Sequence, residues 1–231
     1  MKNTTTLTGL ALVLAAATSA NAYIRITEVM SKAGSNDPTP DWFEISNYGS
    51  TSISLAGWKV DDNSFSAAAG AALNGITSIN AGESVVFLEV NRAFTAAQQA
   101  QQVADFRAFW GGLATVRVGT YAASGISFSS SGDGCALFNA SATEVTRVTF
   151  GAATSARSFF WGYNAATGSV VPGYNAGVSS LGTIGTQISF QSVGSGDEGV
   201  NIGSLGTAIN VPGPGALALA ALAGMIRGRR K

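Results

Sequence analysis

Two glutamates, Glu28 in "IRITEVM" and Glu44 in "DWFEISN", sit among apolar residues on stretches that alternate as strands do. Carboxylates so placed are what a paired acid/base centre needs, one holding a proton to give and one ionised to take it. They are equally what a sheet uses to accept hydrogen bonds from loop backbone and neighbouring side chains. The second reading is favoured, because no His or Lys cluster accompanies them and the chain contains no His at all. No catalytic residue is therefore expected.

A further set of carboxylates falls at turns. Asp61, Asp62 and Asn63 follow the stretch containing Trp58, while Asp37 and Asp41 bracket a Pro-containing loop. Oxygen ligands on loops suit calcium, so Asp61 and Asp62 are candidate ligands. The D-x-D-x-D-G spacing is missing, however, and solvated turn residues are the expected role there and at Asp197 and Glu198 in "GSGDEGV". Trp161, Tyr163 and Tyr174 offer faces on which a polysaccharide could stack, although aromatics in short β-rich segments are more often packed. Neither "GSGDEG" nor "GAATSA" ends in the Lys-Ser/Thr of a phosphate loop. No cofactor is expected.

The lone cysteine, Cys135 in "GDGCALF", rules out a disulfide within the chain, and without His there is neither a His or Cys zinc site nor a His-based triad. Cys135 reads as a small buried strand residue.

The elements that must position these residues follow from composition and pattern. The chain has 231 residues, 46% hydrophobic but only 11% charged, with 29 Gly. Against the roughly 25% charge of an average soluble protein, this mixture favours short strands and many turns. Formal charge is zero, yet Lys2, Arg227, Arg229, Arg230 and Lys231 lie at the two ends. The remainder carries eight Lys or Arg against thirteen Asp or Glu, a net of −5. Such an acidic body argues against nucleic acid as a partner.

From Tyr23 onward the pattern is strand after strand. "YIRIT" sets Ile24 and Ile26 opposite Arg25 and Thr27; "DWFEISN" sets Phe43 and Ile45 opposite Trp42, Glu44 and Ser46, each reading as a half-buried strand. "TSISLAGWKVDD" resets its phase at Gly57, and "SVVFLEV" is apolar throughout, as in a central strand covered on both faces. A helix is predicted over about 92–110, with Ala93, Ala96, Ala97, Ala100, Val103 and Ala104 on the face toward the sheet and Gly111-Gly112 ending it. Phe94 and Phe109 fall on the Gln side and need other cover. Strands resume in "TVRVGTY", "GISFSS", "GCALFN" and "VTRVTF", the last two joined by a hairpin-length polar connection. Beyond Tyr174 the Gly-, Ser- and Asn-rich chain reads as looser.

The ends read as addresses. Lys2, the apolar run Leu7 to Ala17, and Ala20 and Ala22 at −3 and −1 form a Sec-type signal peptide over 1–22, with cleavage by signal peptidase expected between Ala22 and Tyr23. At the other end, Ala216 to Ile226 is an 11-residue apolar run; as a helix it would rise about 16 Å, against a hydrocarbon core near 30 Å. It follows Val211, Pro212, Gly213 and Pro214 and precedes Arg227, Arg229, Arg230 and Lys231. This order resembles sorting signals of the PEP-CTERM type. The resemblance implies an exosortase-like enzyme as a partner and only transient contact with the membrane. "VPGPG" departs from the plain motif in having no Glu between its prolines.

The ordered blocks "IRITEVM", "DWFEISNYGSTSISLAGWKVDD", "LNGITSINAGESVVFLEV" and "ALFNASATEVTRVTF" resemble the lamin tail domain in its bacterial, secreted form. The resemblance implies an all-β, immunoglobulin-like β-sandwich; the helical insert is a departure from its plainest form. The expected organisation is a signal peptide over 1–22, a lamin-tail-like sandwich over 23–165, a Gly/Ser-rich extension over 166–210 and a sorting signal over 211–231. The expected role is that of an exported, non-enzymatic binding or structural protein at the cell surface or in the extracellular matrix, with polysaccharide or surface proteins as partners. The alternatives are a polysaccharide-binding module and a metal-dependent secreted hydrolase using Glu28, Glu44 or a loop Asp.

Overall fold

The computed structural model describes residues 23–31, 40–123, 125–195 and 199–210. The expected signal peptide, Asp37, Asp197, Glu198 and the expected sorting signal lie outside them. The first half runs β1 (Ile24–Met30), β2 (Trp42–Asn47), β3 (Ile53–Ser54), β4 (Lys59–Asp61), β5 (Ala71–Asn74), β6 (Ser78–Ile79), β7 (Ser84–Asn91) and α1 (Ala96–Phe109). The second half runs β8 (Arg117–Ala123), β9 (Asp133–Phe138), β10 (Glu144–Phe150), β11 (Phe159–Phe160), β12 (Gly177–Val178), β13 (Gly182–Ile184), β14 (Gln187–Gln191) and β15 (Ile202–Gly203).

Ten strands join in the order β10-β9-β4-β5-β8-β7-β2-β1-β11-β12. The corner is β5: Ala71 and Ala72 pair with β4, whereas Leu73 and Asn74 pair with β8. Turning there lets β10 and β9 lie across from β1, which makes an all-β, immunoglobulin-like sandwich. Its inner core holds Ile24, Ile26, Phe43, Ile45, Trp58, Phe87, Tyr121, Leu137, Phe150 and Trp161. Phe87 stacks on Phe43 at 5.5 Å between centroids and lies over Gly119, its register partner on β8, where any Cβ would approach the Phe87 ring to 2.6 Å. Only a glycine leaves room for that ring.

Most pairings are antiparallel, and the hairpin of β9 and β10 forms as expected. The exception is β7 with β8, which run parallel. Parallel neighbours cannot be joined by a tight turn, and α1 supplies the crossover. Its start is a capping box: Gln98 N donates to Thr95 Oγ1 at 3.3 Å and Thr95 N donates back to Gln98 Oε1 at 2.9 Å. Gly111 and Gly112, both at positive φ, follow its end.

The face α1 presents differs from the one the alanines suggest. Ala93, Ala96, Ala97, Ala100 and Ala104 are exposed, whereas Phe106, Phe109 and Trp110 are buried. They cover Trp42, Val86 and Leu88 on the outer side of the sheet, Phe106 and Trp110 meeting the Trp42 ring edge-on at 6.3 and 6.0 Å. Three large aromatics bury far more apolar area than a stripe of methyl groups, so they set the helix's rotation. β2 is therefore buried on both faces rather than half-buried. Two further expectations are corrected. Gly125 to Ser130 is irregular rather than a strand, although it buries Ile126 and Phe128 in the core. The chain beyond Tyr174, expected to be loose, pairs as β11-β12 and as a small sheet β13-β14-β15.

Truncating Phe106 to Ala should cost about 3–5 kcal/mol, while Ala97→Ser should stay within roughly 0.5 kcal/mol. Urea unfolding midpoints of the two variants check this, and equal losses would contradict the orientation of α1.

Candidate functional site

The two glutamates singled out from sequence are brought together. Regular alternation from Ile24 and Ile26 would send Glu28 into the inner core. Instead Ile26 pairs with Ile45 and Glu28 with Glu44, so Thr27 is an extra residue on β1, a β-bulge. The bulge resets the phase: Val29 returns to the inner core, and Glu28 emerges on the outer face directly opposite Glu44. Both residues are 0% exposed.

Their acceptors are filled from the chain itself. Glu44 accepts from Thr27 Oγ1 at 2.6 Å and from Gly206 N at 2.6 Å. Glu28 accepts from Ser204 N at 2.7 Å, Ser204 Oγ at 2.9 Å and the Ser158 hydroxyl. Gly206 is at positive φ, and a Cβ there would meet Val116 at 2.4 Å, so glycine is needed for that amide to reach Glu44.

Each hydroxyl has a single proton to donate, which orders the bonds behind these contacts when the carboxylates are ionised. Thr27 gives its proton to Glu44, so Ser46 donates to Thr27 at 3.0 Å and Ser84 to Ser46 at 2.6 Å. Ser158 gives its proton to Glu28, so Ser179 donates to Ser158 at 2.7 Å. Ser204 donates to Glu28 and accepts from Gln187 Nε2 at 2.7 Å. Three chains of donors thus converge on one pair of carboxylates.

Burial dominates the electrostatics. It pushes Glu28 up to about 7 despite the bonds from Ser158 and Ser204. Burial, and next the Glu28 charge, hold Glu44 well above the usual carboxylate range. A pair of this kind keeps a proton at neutral pH. A second pair sits at one end of the sheet, where Glu89 N donates to Asp41 O at 2.9 Å. Burial and the neighbouring Glu89 push Asp41 up to about 8, and burial pushes Glu89 up to about 7. Glu89 escaped sequence reasoning because it sits inside an otherwise apolar run.

The other candidates are placed as follows. Asp61 is buried, its Oδ2 accepting from Ser64 Oγ and Ser66 N, both at 2.6 Å, and Asp62 Oδ1 accepts from Ser64 N at 3.2 Å. Both organise their own turn. Among the described residues, no three Asp, Glu or Cys side chains are arranged to hold a metal ion. Trp161 and Tyr163 are 1% and 3% exposed. Trp161 meets Phe150 at 6.4 Å and Tyr163 meets Tyr48 at 5.8 Å, so neither displays a stacking face. Tyr174 lies 6.3 Å from the Phe160 ring. Cys135 is buried in the inner core, and burial raises its thiol well above the ordinary range.

Residues 17–152, more than half of the chain, match a family model described as Lamin Tail Domain. The chain belongs to the lamin tail domain family. The lamin tail fold is immunoglobulin-like, in accord with the sandwich. Comparison with curated proteins finds no significant match. Glu28 and Glu44 lie inside the lamin tail match, whereas Ser158, Ser179, Gln187, Ser204 and Gly206 lie beyond it. The carboxylate pair therefore fastens the following segment onto the lamin tail domain.

Replacing Glu28 with Ala would strand the Ser158 hydroxyl and both Ser204 donors, at about 1–3 kcal/mol for each buried donor left unpaired. Hydrogen exchange should then speed at Ser204 and Gly206 before the inner strands; unchanged protection there would contradict the clasp. The pH dependence has a definite sign. Glu28 has a folded pKa of about 7 against 4.5 for the free side chain, so its proton-linked stability is complete below 4.5 and is lost as pH rises through 7. That loss is on the order of 3 kcal/mol. Asp41 and Glu89 push in the same direction. The urea midpoint should accordingly be higher at pH 5 than at pH 8, and Glu28→Gln should flatten the slope.

Proposed function

We propose that this chain is an exported, non-enzymatic protein whose lamin tail domain binds or scaffolds at the cell surface or in the surrounding matrix. The observation that carries the non-enzymatic part is the closure of the Glu28 and Glu44 pair. Both side chains are wholly buried, and their polar contacts are to the chain's own hydroxyl and backbone donors. General acid/base chemistry needs a carboxyl within reach of a substrate proton, and this pair offers no approach. The hydrolase alternative loses its best candidates for that reason.

Delivery is read from the two ends. Lys2, the apolar run and the Ala20 and Ala22 pair support export and cleavage before Tyr23. The hinge at Pro212 and Pro214, the short apolar run and the basic end from Arg227 to Lys231 support handling by an exosortase-like membrane enzyme. The membrane is then a station rather than a residence. Among the described residues no helix is long and apolar enough to cross a membrane.

Intact mass spectrometry of the surface-associated protein from its native cell tests this. The expected mature species runs from Tyr23 to near Val211. A species that keeps residues 1–22 would overturn export by this signal, and one that keeps Arg227 to Lys231 would overturn the sorting step.

A further inference from the structure

A groove of about 390 Å³ runs along β10, the strand that ends the ten-stranded order. Five consecutive residues, Val145 to Thr149, form one wall, and Arg25, Tyr163 and Asn175 stand across from them. β10 is paired on one side only, with β9. In an antiparallel pair alternate residues point their backbone groups away from the partner. Among the described residues, no hydrogen bond apart from those of the β9 ladder reaches the backbone of Val145 to Thr149. The groove is thus bordered by an unoccupied strand edge about 14 Å long.

Its charge is opposite to that of the molecule. The body of the chain carries a net −5, yet the charged residues lining the groove are Arg25 and Arg147, and of the two only Arg147 is paired with a carboxylate among the described residues. Arg25 is held rather than free: Nε donates to Gly168 O at 3.1 Å and Nη1 to Ile24 O at 3.0 Å, and its guanidinium lies 5.2 Å from the Tyr23 ring and 5.7 Å from the Tyr163 ring. Among the described residues no carboxylate pairs with it. A guanidinium fixed in this way, with N–H groups to spare, has already lost the rotamer freedom that an incoming carboxylate would otherwise have to restrict. Arg147 lies 4.0 Å from the Phe65 ring and is ion-paired with Glu144, donating through Nε at 3.0 Å and through Nη2, so an incoming carboxylate would share it with Glu144.

We propose that this groove receives an extended acidic polypeptide segment by strand addition, its backbone pairing with β10 and its carboxylates meeting Arg25 and Arg147. Main-chain bonds supply the affinity and the two guanidinium groups supply the choice of partner. A sugar chain fits less well, because Trp161 and Tyr163 are buried and turn no ring face outward. A second copy fits less well too, because antiparallel pairing of β10 with itself would oppose Arg147 to Arg147 or set it close by. This rests on the reading of the chain as a binding module, and it names the partner.

The test uses the full-length chain and fluorescence anisotropy of labelled heptapeptides. A peptide alternating Thr and Glu should bind at least about tenfold more tightly than one alternating Thr and Lys. Of two Thr/Glu peptides N-methylated on alternate residues, one should lose about tenfold and the other should keep its affinity, because only one set of amides faces β10. Arg147→Glu should weaken the Glu peptide and strengthen the Lys peptide, and Arg25→Gln should weaken the Glu peptide. Equal binding of the Glu and Lys peptides, equal binding of both methylated forms, displacement of the peptide by oligogalacturonate, or a dimer in sedimentation that Arg147→Glu dissolves would each overturn the proposal. A failure here alongside a correctly processed native mass would remove the partner and leave the export reading standing.

Discussion

The rest of the structure depends on two carboxylates buried side by side on neighbouring strands. Removing one charge from water costs several kcal/mol, and two like charges cannot share a dry site. The chain meets this in two ways. It lets Glu44 keep a proton, and it surrounds both groups with donors. Most of those donors come from after residue 152, so the segment that follows the family match is the other half of a polar core.

No Lys or Arg contacts the pair among the described residues; serine and threonine hydroxyls and backbone amides do that work. Neutral donors suit a pair that keeps a proton, because a full cation would drag both carboxylates into their ionised form. The outer face of the sheet is thereby divided. The aromatics of α1 cover its Trp42 and Leu88 end, and the strands and turns up to Gly206 cover the Glu28 and Glu44 end.

Much of this was legible. Most of the strand blocks, the β9-β10 hairpin, the buried centre of β7 and the acceptor role of the glutamates follow from alternation and from the absence of His. The helix was legible in existence but not in rotation, because Ala counting weighs small side chains equally with Phe106 and Phe109. The meeting of Glu28 with Glu44 was hidden by the bulge. Its trace is the spacing Ile24, Ile26, Val29, where an alternating strand would place an apolar residue at 28. The order in the later segment was hidden for another reason. Strands as short as Gly177–Val178 and Ile202–Gly203 carry no period, and their positions come from partners far away in sequence.

The contact between Glu28 and Ser204 spans 176 residues. A chain made from its N-terminus carries Glu28 long before the amide that answers it has emerged. Parallel β7 and β8 likewise wait for their crossover. Until Ser204 and Gly206 are available, Glu28 and Glu44 lack the donors those residues supply, and the native basin is correspondingly shallow. The order of synthesis and the order of locking therefore lie 176 residues apart, which keeps the growing chain pliable until Ser204 and Gly206 have emerged.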